Sequence, residues 1–202
     1  MDNSYLLSIC IPTYNGASSL LKEVLDNATP LLEEFKGEVE LIVSDNCSID
    51  STSDLLKKYA SVPGFRSYRN EKNLGFNKNM LLLVETYSKG FYSWVIGDDD
   101  IIIPSAFRFI INELRKGKYD YLSLGSNIIP ASELNAIIEK KTVYKSVPCS
   151  YAKAIDYNCY DGNILSSFMG GSIFNTQRFR EFPKSFIKNS FDEFRNVFPN
   201  GY

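Results

Sequence analysis

Residues 92–100 read Tyr92-Ser93-Trp94-Val95-Ile96-Gly97-Asp98-Asp99-Asp100. A short apolar run that stops at a glycine predicts a strand buried on both faces, as in a parallel sheet. The acids that follow then stand beyond its carboxyl end, where open α/β sheets take their ligands. Upstream, two further runs have the same form. Tyr5 to Ile11 is almost continuously apolar, is ended by Pro12, and leads into Thr13-Tyr14-Asn15-Gly16. Val39 to Ser44 leads into Asp45-Asn46-Cys47-Ser48. If the three strands are parallel, the three polar clusters share one edge of the sheet.

The segments between them carry helical spacing. Ala17 to Asn27 places Leu20, Leu21, Val24 and Leu25 on one face, with Ser18 and Ser19 as caps. Thr52 to Tyr59 is helical with Ser51 as its N-cap, and Phe65 to Arg69 is a short strand. Phe76 to Tyr87 is a helix burying Met80, Leu81, Val84 and Tyr87. Pro104 opens a further helix with Phe107, Ile110, Ile111 and Leu114 inward, and Tyr119 to Leu124 is a strand. Residues 1–125 therefore alternate strand and helix, the pattern of an α/β, doubly wound, mostly parallel sheet flanked by helices. Beyond 125 the rhythm breaks. Lys141 to Val147 and Gly170 to Phe174 read as strands, Tyr151 to Tyr157 and Thr176 to Phe182 as helices. Residues 126–202 read as an extension of the same domain.

Composition narrows the chemistry. The chain has 202 residues, 44% of them hydrophobic, a net charge of -2 and no histidine. That excludes a Ser-His-Asp triad, a Cys-His pair and imidazole-bound zinc. No basic surplus draws it to nucleic acid. Cys10, Cys47, Cys149 and Cys159 form no C-x-x-C pair and read as free thiols in a reducing cytosol. No signal peptide or transmembrane segment is indicated, so a cytoplasmic protein is expected. The chain stops at Phe198-Pro199-Asn200-Gly201-Tyr202, turn chemistry that reads as a truncated end.

Each cluster has a bland and a sharp reading. Asp98-Asp99-Asp100 is either an acidic turn capping the Pro104 helix or a hard-cation site for Mg²⁺ or Mn²⁺. Asp45 is either a helix N-cap or a carboxylate that accepts a hydrogen bond from a base or ribose. Asn73-Leu74-Gly75, followed by Lys78, is either a capped surface helix or an anion-facing helix start.

Taken together, Ser8-Ile9-Cys10-Ile11-Pro12-Thr13-Tyr14-Asn15, Glu40-Leu41-Ile42-Val43-Ser44-Asp45-Asn46-Cys47-Ser48, Asn73-Leu74-Gly75 and Trp94 to Asp100 resemble, in order and spacing, family-2 glycosyltransferases of the GT-A fold. The resemblance covers about the first 125 residues. Phe168-Met169-Gly170-Gly171-Ser172 resembles the acceptor-side strand of bacterial surface-polysaccharide members, the abequosyltransferase-like ones included. It implies a donor-binding half at 1–125 and a variable acceptor side at 126–202. The implied activity is metal-dependent, inverting sugar transfer from a nucleotide-diphosphate sugar, UDP-sugars first, to a glycan or lipid-linked acceptor in polysaccharide biosynthesis. Pro12, Thr13, Tyr14 and Asn15 match the loop around base and ribose, and Asp45 the acid that reads the base. Asn73, Gly75 and Lys78 match the loop and helix start that face the donor. Asp98 and Asp100 match the outer acids of the D-x-D motif. Asp100 is the direct metal ligand of that match, and Asp98 or Asp99 touches ribose or a metal-bound water. Inverting members place a base well downstream; Asp192 and its neighbour Glu193 match that place, with Asp156, Asp161 and Glu181 as fallbacks.

Other classes compete. A sugar nucleotidyltransferase wants a Gly-rich, Arg-bearing loop after the first strand, where this chain has Pro12 to Gly16. A receiver domain wants an acidic pair where Thr13 and Tyr14 stand. A non-catalytic nucleotide-sugar-binding or scaffold subunit remains as the alternative. The aromatic-rich stretch from Phe186 to Tyr202 suits core packing, a homodimer surface or peripheral contact at the inner membrane face.

Overall fold

The computed structural model describes residues 4–124 and 170–181. Its strands are β1 (Tyr5–Thr13), β2 (Val39–Asp45), β3 (Phe65–Arg69), β4 (Gly90–Val95), β5 (Tyr121–Ser123) and β6 (Ser172–Asn175). They form one sheet in the order β3-β2-β1-β4-β6-β5. The first four are parallel; β6 runs antiparallel to both β4 and β5. The helices are α1 (Leu21–Glu34), α2 (Thr52–Lys57), α3 (Phe76–Leu82), α4 (Pro104–Leu114) and α5 (Thr176–Glu181).

Successive strand residues point to opposite faces, so each strand feeds two cores. Leu7, Ile9, Ile11, Leu41, Val43 and Trp94 pack under α1, α2 and α4. Cys10, Ile42 and Val95 pack with Met80, Leu83 and Val84, and with Phe174 and Phe179 alongside. Burial pushes the Cys10 thiol far up, as expected of a small core residue. The chain steps outward from β1 to β3, then reverses across the sheet to β4. Right-handed crossovers put α3 on the face opposite α1 and α2. The reversal makes the β1–β4 gap the topological switch point.

Several expectations are corrected. β5 follows α4 and runs in the direction of β4, but the two do not pair, because β6 lies between them. β5 has only three residues, and β6 supplies ladder partners to it and to β4. β1 does not stop at Pro12 but runs through Thr13. Its pairing with β4 ends at Cys10–Val95, so the N–H that proline lacks costs no ladder bond. The helix expected from Ala17 is a 3-10 turn (Gly16–Ser18), then α1, which runs on through an exposed Pro30. Leu20 is 43% exposed and outside the core. Neither Ser18, Ser19 nor Ser51 caps a helix through its side chain. Asp50 does that work instead: it accepts the Thr52 N–H at 3.0 Å and the Ser18 N–H and hydroxyl at 3.1 and 2.9 Å. The helix after Phe76 ends in a π-turn over Leu83–Tyr87, closed by Ser88 N–H to the Leu83 carbonyl at 2.8 Å. Met80 and Val84 are buried as expected, Leu83 joins them, and Leu81 and Tyr87 are only half-buried. Lys141 to Val147 and Tyr151 to Tyr157 lie outside the described residues, as do Cys149 and Cys159.

The amino half of the sheet is fastened by a buried acid. Glu40 has no exposed surface. It accepts the Ser8 hydroxyl at 2.5 Å, the Lys89 N–H at 2.8 Å and the Arg66 guanidinium at 3.0 Å. Arg66 also reaches the Tyr87 carbonyl at 2.7 Å, and Arg180 the carbonyls of Val84 and Ser88 at 2.9 and 2.7 Å. Two cations thus cap the carbonyls left free at the π-turn.

Candidate functional site

Thr13 ends β1, Asp45 ends β2 and Arg69 ends β3, and register sets them side by side: Thr13 opposite Asp45, Asp45 opposite Arg69. Gly97 and the three acids follow β4 on the same edge. The Thr13 hydroxyl donates to Asp98 Oδ2 at 2.5 Å, tying the two sides of the switch point together. Burial raises the Asp98 carboxyl above the usual range, and the charges of Asp99 and Asp100 push the same way; the Thr13 hydroxyl pulls it down. Asp99 is exposed. Asp100 Oδ2 accepts the Gly97 N–H at 2.7 Å. A Cβ on Gly97 would stand 2.5 Å from Asp99 Oδ1 and 3.1 Å from Asp100 Oδ2, so a larger residue there would push on both carboxylates.

Every donor in this cluster is a hard oxygen, which fits Mg²⁺ or Mn²⁺ and no softer metal. Among the described residues no three acid or thiol side chains converge as a ready metal cage. Asp98 and Asp100 therefore fit a metal only as part of a set that substrate oxygens and water complete.

Asp45 is 1% exposed. Its Oδ1 accepts the Ser48 N–H at 2.8 Å and its Oδ2 pairs with Arg69. Arg69 also donates to the Ser48 carbonyl at 2.8 Å. Sequence reasoning passed over Arg69; the available signal was a base ending the strand that neighbours β2. Asn15 adopts the left-handed conformation (φ 59°) that its side chain tolerates better than most. Its N–H donates to the Ser48 hydroxyl at 2.8 Å and its Oδ1 accepts the Ile49 N–H at 3.0 Å, which laces the loops after β1 and β2. Tyr14 is 45% exposed beside it, and Pro12 is buried.

Asn73 serves the loop. Its Oδ1 accepts the Asn46 amide and the Gly75 N–H, both at 2.8 Å. Asn46 Oδ1 accepts Asn70 at 3.0 Å and the Leu74 N–H at 2.9 Å. Asn79 in α3 closes the network: it accepts from Ser44 and Asn70 at 2.6 and 2.8 Å and donates to the Ser44 carbonyl at 2.9 Å. Gly75, at φ +79°, turns the chain into α3, and Lys78 is exposed in the first turn. The network through Asn46, Asn70 and Asn79 was not foreseen. Asp192, Glu193, Asp156 and Asp161 lie outside the described residues. Glu181 is corrected: β6 carries the chain to the amino edge, Asn175 opposite Tyr92, and α5 with Glu181 follows there, away from the acids.

A parallel sheet reversing between β1 and β4, with an antiparallel β6 beside the acid turn, is the GT-A class of fold. The S. aureus TarS 1-349 structure in complex with UDP-GlcNAc shares it, at a TM-score of 0.60 and 21% identity over 84% of this chain and 45% of that one. Mannosyl-3-phosphoglycerate synthase from Rubrobacter xylanophilus shares it too, at 0.56 and 15% identity over 87% and 54%. The chain belongs to glycosyl transferase family 2, whose model matches residues 8–135. It is 36% identical over 107 residues to abequosyltransferase RfbV of Salmonella typhimurium, which covers 52% of this chain and 31% of the relative. The chain thus spans about a third of that protein's length. Among the described residues no helix is long and apolar enough to cross a membrane.

Proposed function

We propose that the chain carries the donor site of a metal-dependent, inverting glycosyltransferase acting in polysaccharide biosynthesis. Residues 1–125 bind a nucleotide-diphosphate sugar, UDP-sugars first, and 126–202 form the acceptor side for a glycan or lipid-linked hydroxyl. The observation that carries the reading is the Thr13–Asp98 bond at the switch point, with Asp45 one strand away on the same edge. Family membership and the kinship to a protein named as an abequosyltransferase support the reaction class and the polysaccharide setting.

Pro12, Thr13, Tyr14 and Asn15 line the nucleoside. Asp45 accepts a hydrogen bond from the base; each carboxylate oxygen has two lone pairs, so a further donor fits once the half-exposed Arg69 turns outward. Asn73 and Gly75 hold the loop that brings Lys78 towards the diphosphate. Asp98 and Asp99 meet the ribose, and Asp98 and Asp100 hold Mg²⁺ or Mn²⁺. When bound, the metal acts as a Lewis acid that neutralises charge on the departing diphosphate. The protein has no histidine, so a carboxylate takes the acceptor proton. Asp192 is that base, with Glu193 beside it. The acceptor oxygen bonds to the anomeric carbon as the bond to the diphosphate breaks. The proposed setting is cytoplasmic, peripheral at the inner membrane face where the acceptor is lipid-linked, with a homodimer as the candidate assembly.

The test is a thermal-shift screen of nucleotide sugars with and without Mn²⁺, since a ligand that binds the native state raises the melting temperature. Asp98→Ala and Asp100→Ala should each abolish the metal-dependent part of the shift. Equal donor affinity with and without metal in the unaltered chain would reject the metal assignment. Binding without turnover across diverse acceptors would instead favour a non-catalytic donor-binding subunit.

A further inference from the structure

Asp100 is gripped by two backbone segments far apart in the chain. Gly97 N–H holds its Oδ2 from one side. From the other, Gly170 (φ +76°) lies so near that a Cβ there would stand 3.0 Å from the same oxygen. Gly170 is itself pinned. Its N–H donates to the Val95 carbonyl at 2.8 Å, and its carbonyl accepts the Trp94 indole N–H at 2.8 Å. Trp94 is buried and its ring stacks on Phe107 at 6.2 Å, so the indole donor is fixed by packing.

We infer that Trp94 and Gly170 are positioning residues for the metal site. They hold Asp100 with Oδ2 turned to the backbone and leave Oδ1 as the single oxygen offered to a divalent ion. The inference rests on reading Asp100 as a metal ligand. Neither residue touches substrate; both act through the Asp100 carboxylate. Trp94 comes from β4 and Gly170 from the segment entering β6, so metal affinity depends on the return of the chain from the acceptor side as well as on the D-x-D turn.

Trp94 is the chain's single tryptophan, and its emission reports on the clamp directly. The experiment titrates Mn²⁺ into the full chain with UDP, GDP, CDP and dTDP in turn. It follows Trp94 fluorescence in the unaltered protein and Gly170→Ala, and thermal shift in both and in Trp94→Phe. Trp94→Phe keeps an aromatic ring at the position, though a smaller one, and removes the N–H donor. The expected result is half-saturating Mn²⁺ raised about tenfold to a hundredfold in the variants, as for other groups that orient metal ligands, and full binding recovered at saturating Mn²⁺. Variants that stay folded with unchanged half-saturation would overturn the clamp while leaving Asp100 as a ligand. If Gly170→Ala fails to fold, Trp94→Phe decides alone. If the unaltered chain shows no Mn²⁺ effect with any nucleotide, the metal reading of Asp100 fails, and the clamp with it.

Discussion

Replacing Glu40 should unfasten the sheet without touching the nucleotide edge. Glu40→Leu removes the acceptor for the Ser8 hydroxyl, the Lys89 N–H and the Arg66 guanidinium at a fully buried position. Breaking a buried pair from one side typically costs about 3 to 5 kcal/mol, because a charge is left without its partner. Arg66 keeps the Tyr87 carbonyl and the Tyr68 hydroxyl, and its side chain is 23% exposed. The low end, about 3 kcal/mol, is therefore expected. For a chain of this size that is a fall in melting temperature of roughly 6 to 12 °C. Glu40→Leu combined with Arg66→Met should recover most of the loss, since apolar replacement of both partners is often near neutral. Glu40 stands five residues before Asp45 on β2, about 16 Å away, so nucleotide-induced shifts should persist in both variants. A single variant melting within about 2 °C of the parent, or a double variant no more stable than the single, would refute the pairing argument.

Asp98 gives a prediction with a definite sign. Its folded carboxyl sits above the unfolded value, so its charge destabilises the metal-free fold above that range and stops doing so once pH falls below the unfolded value. In metal-free buffer Asp98→Asn should melt higher than the parent near neutral pH, with the gap closing in acid; a gap that does not change with pH would count against it. Asn79→Leu takes the acceptor from the buried Ser44 hydroxyl and one of two acceptors from the Asn70 amide, and should cost about 1 to 3 kcal/mol, read by chemical denaturation, with the 70–75 loop exchanging amide protons faster. Unchanged exchange there would show that the network does not hold the loop. Asp192→Asn should keep donor binding in a thermal-shift assay and lose transfer in an activity assay; full transfer would move the base elsewhere.

The parts of the fold that depend on local pattern were legible in the sequence. The apolar runs gave β1, β2 and β4, Phe65 to Arg69 was placed to the residue, and Pro104 marked the start of α4 because its fixed φ suits a first helical turn. The edge that gathers Thr13, Asp45 and Asp98 followed from strand direction alone. What stayed hidden depends on partners distant in sequence. Nothing local distinguishes Glu40 from a surface acid, since its cation lies 26 residues on, nor Arg69 from a solvated base. The π-turn is a one-residue shift that helical spacing does not encode. Likewise no local signal tells that Gly170 to Asn175 comes back between β4 and β5.

That last arrangement has a consequence in time. Among the described residues β5 hydrogen-bonds to β6 alone, and β6 is made about fifty residues later. At a synthesis rate of about 5 to 20 residues per second, the finished part of the sheet waits roughly 3 to 10 s for β6, the partner of β4 on the side away from β1 among the described residues. A bare edge of that kind is a template for wrong partners. The chain's most hazardous interval therefore comes after its parallel strands are complete, and a pause in translation between Ser123 and Ser172 should raise aggregation more than one of equal length placed earlier.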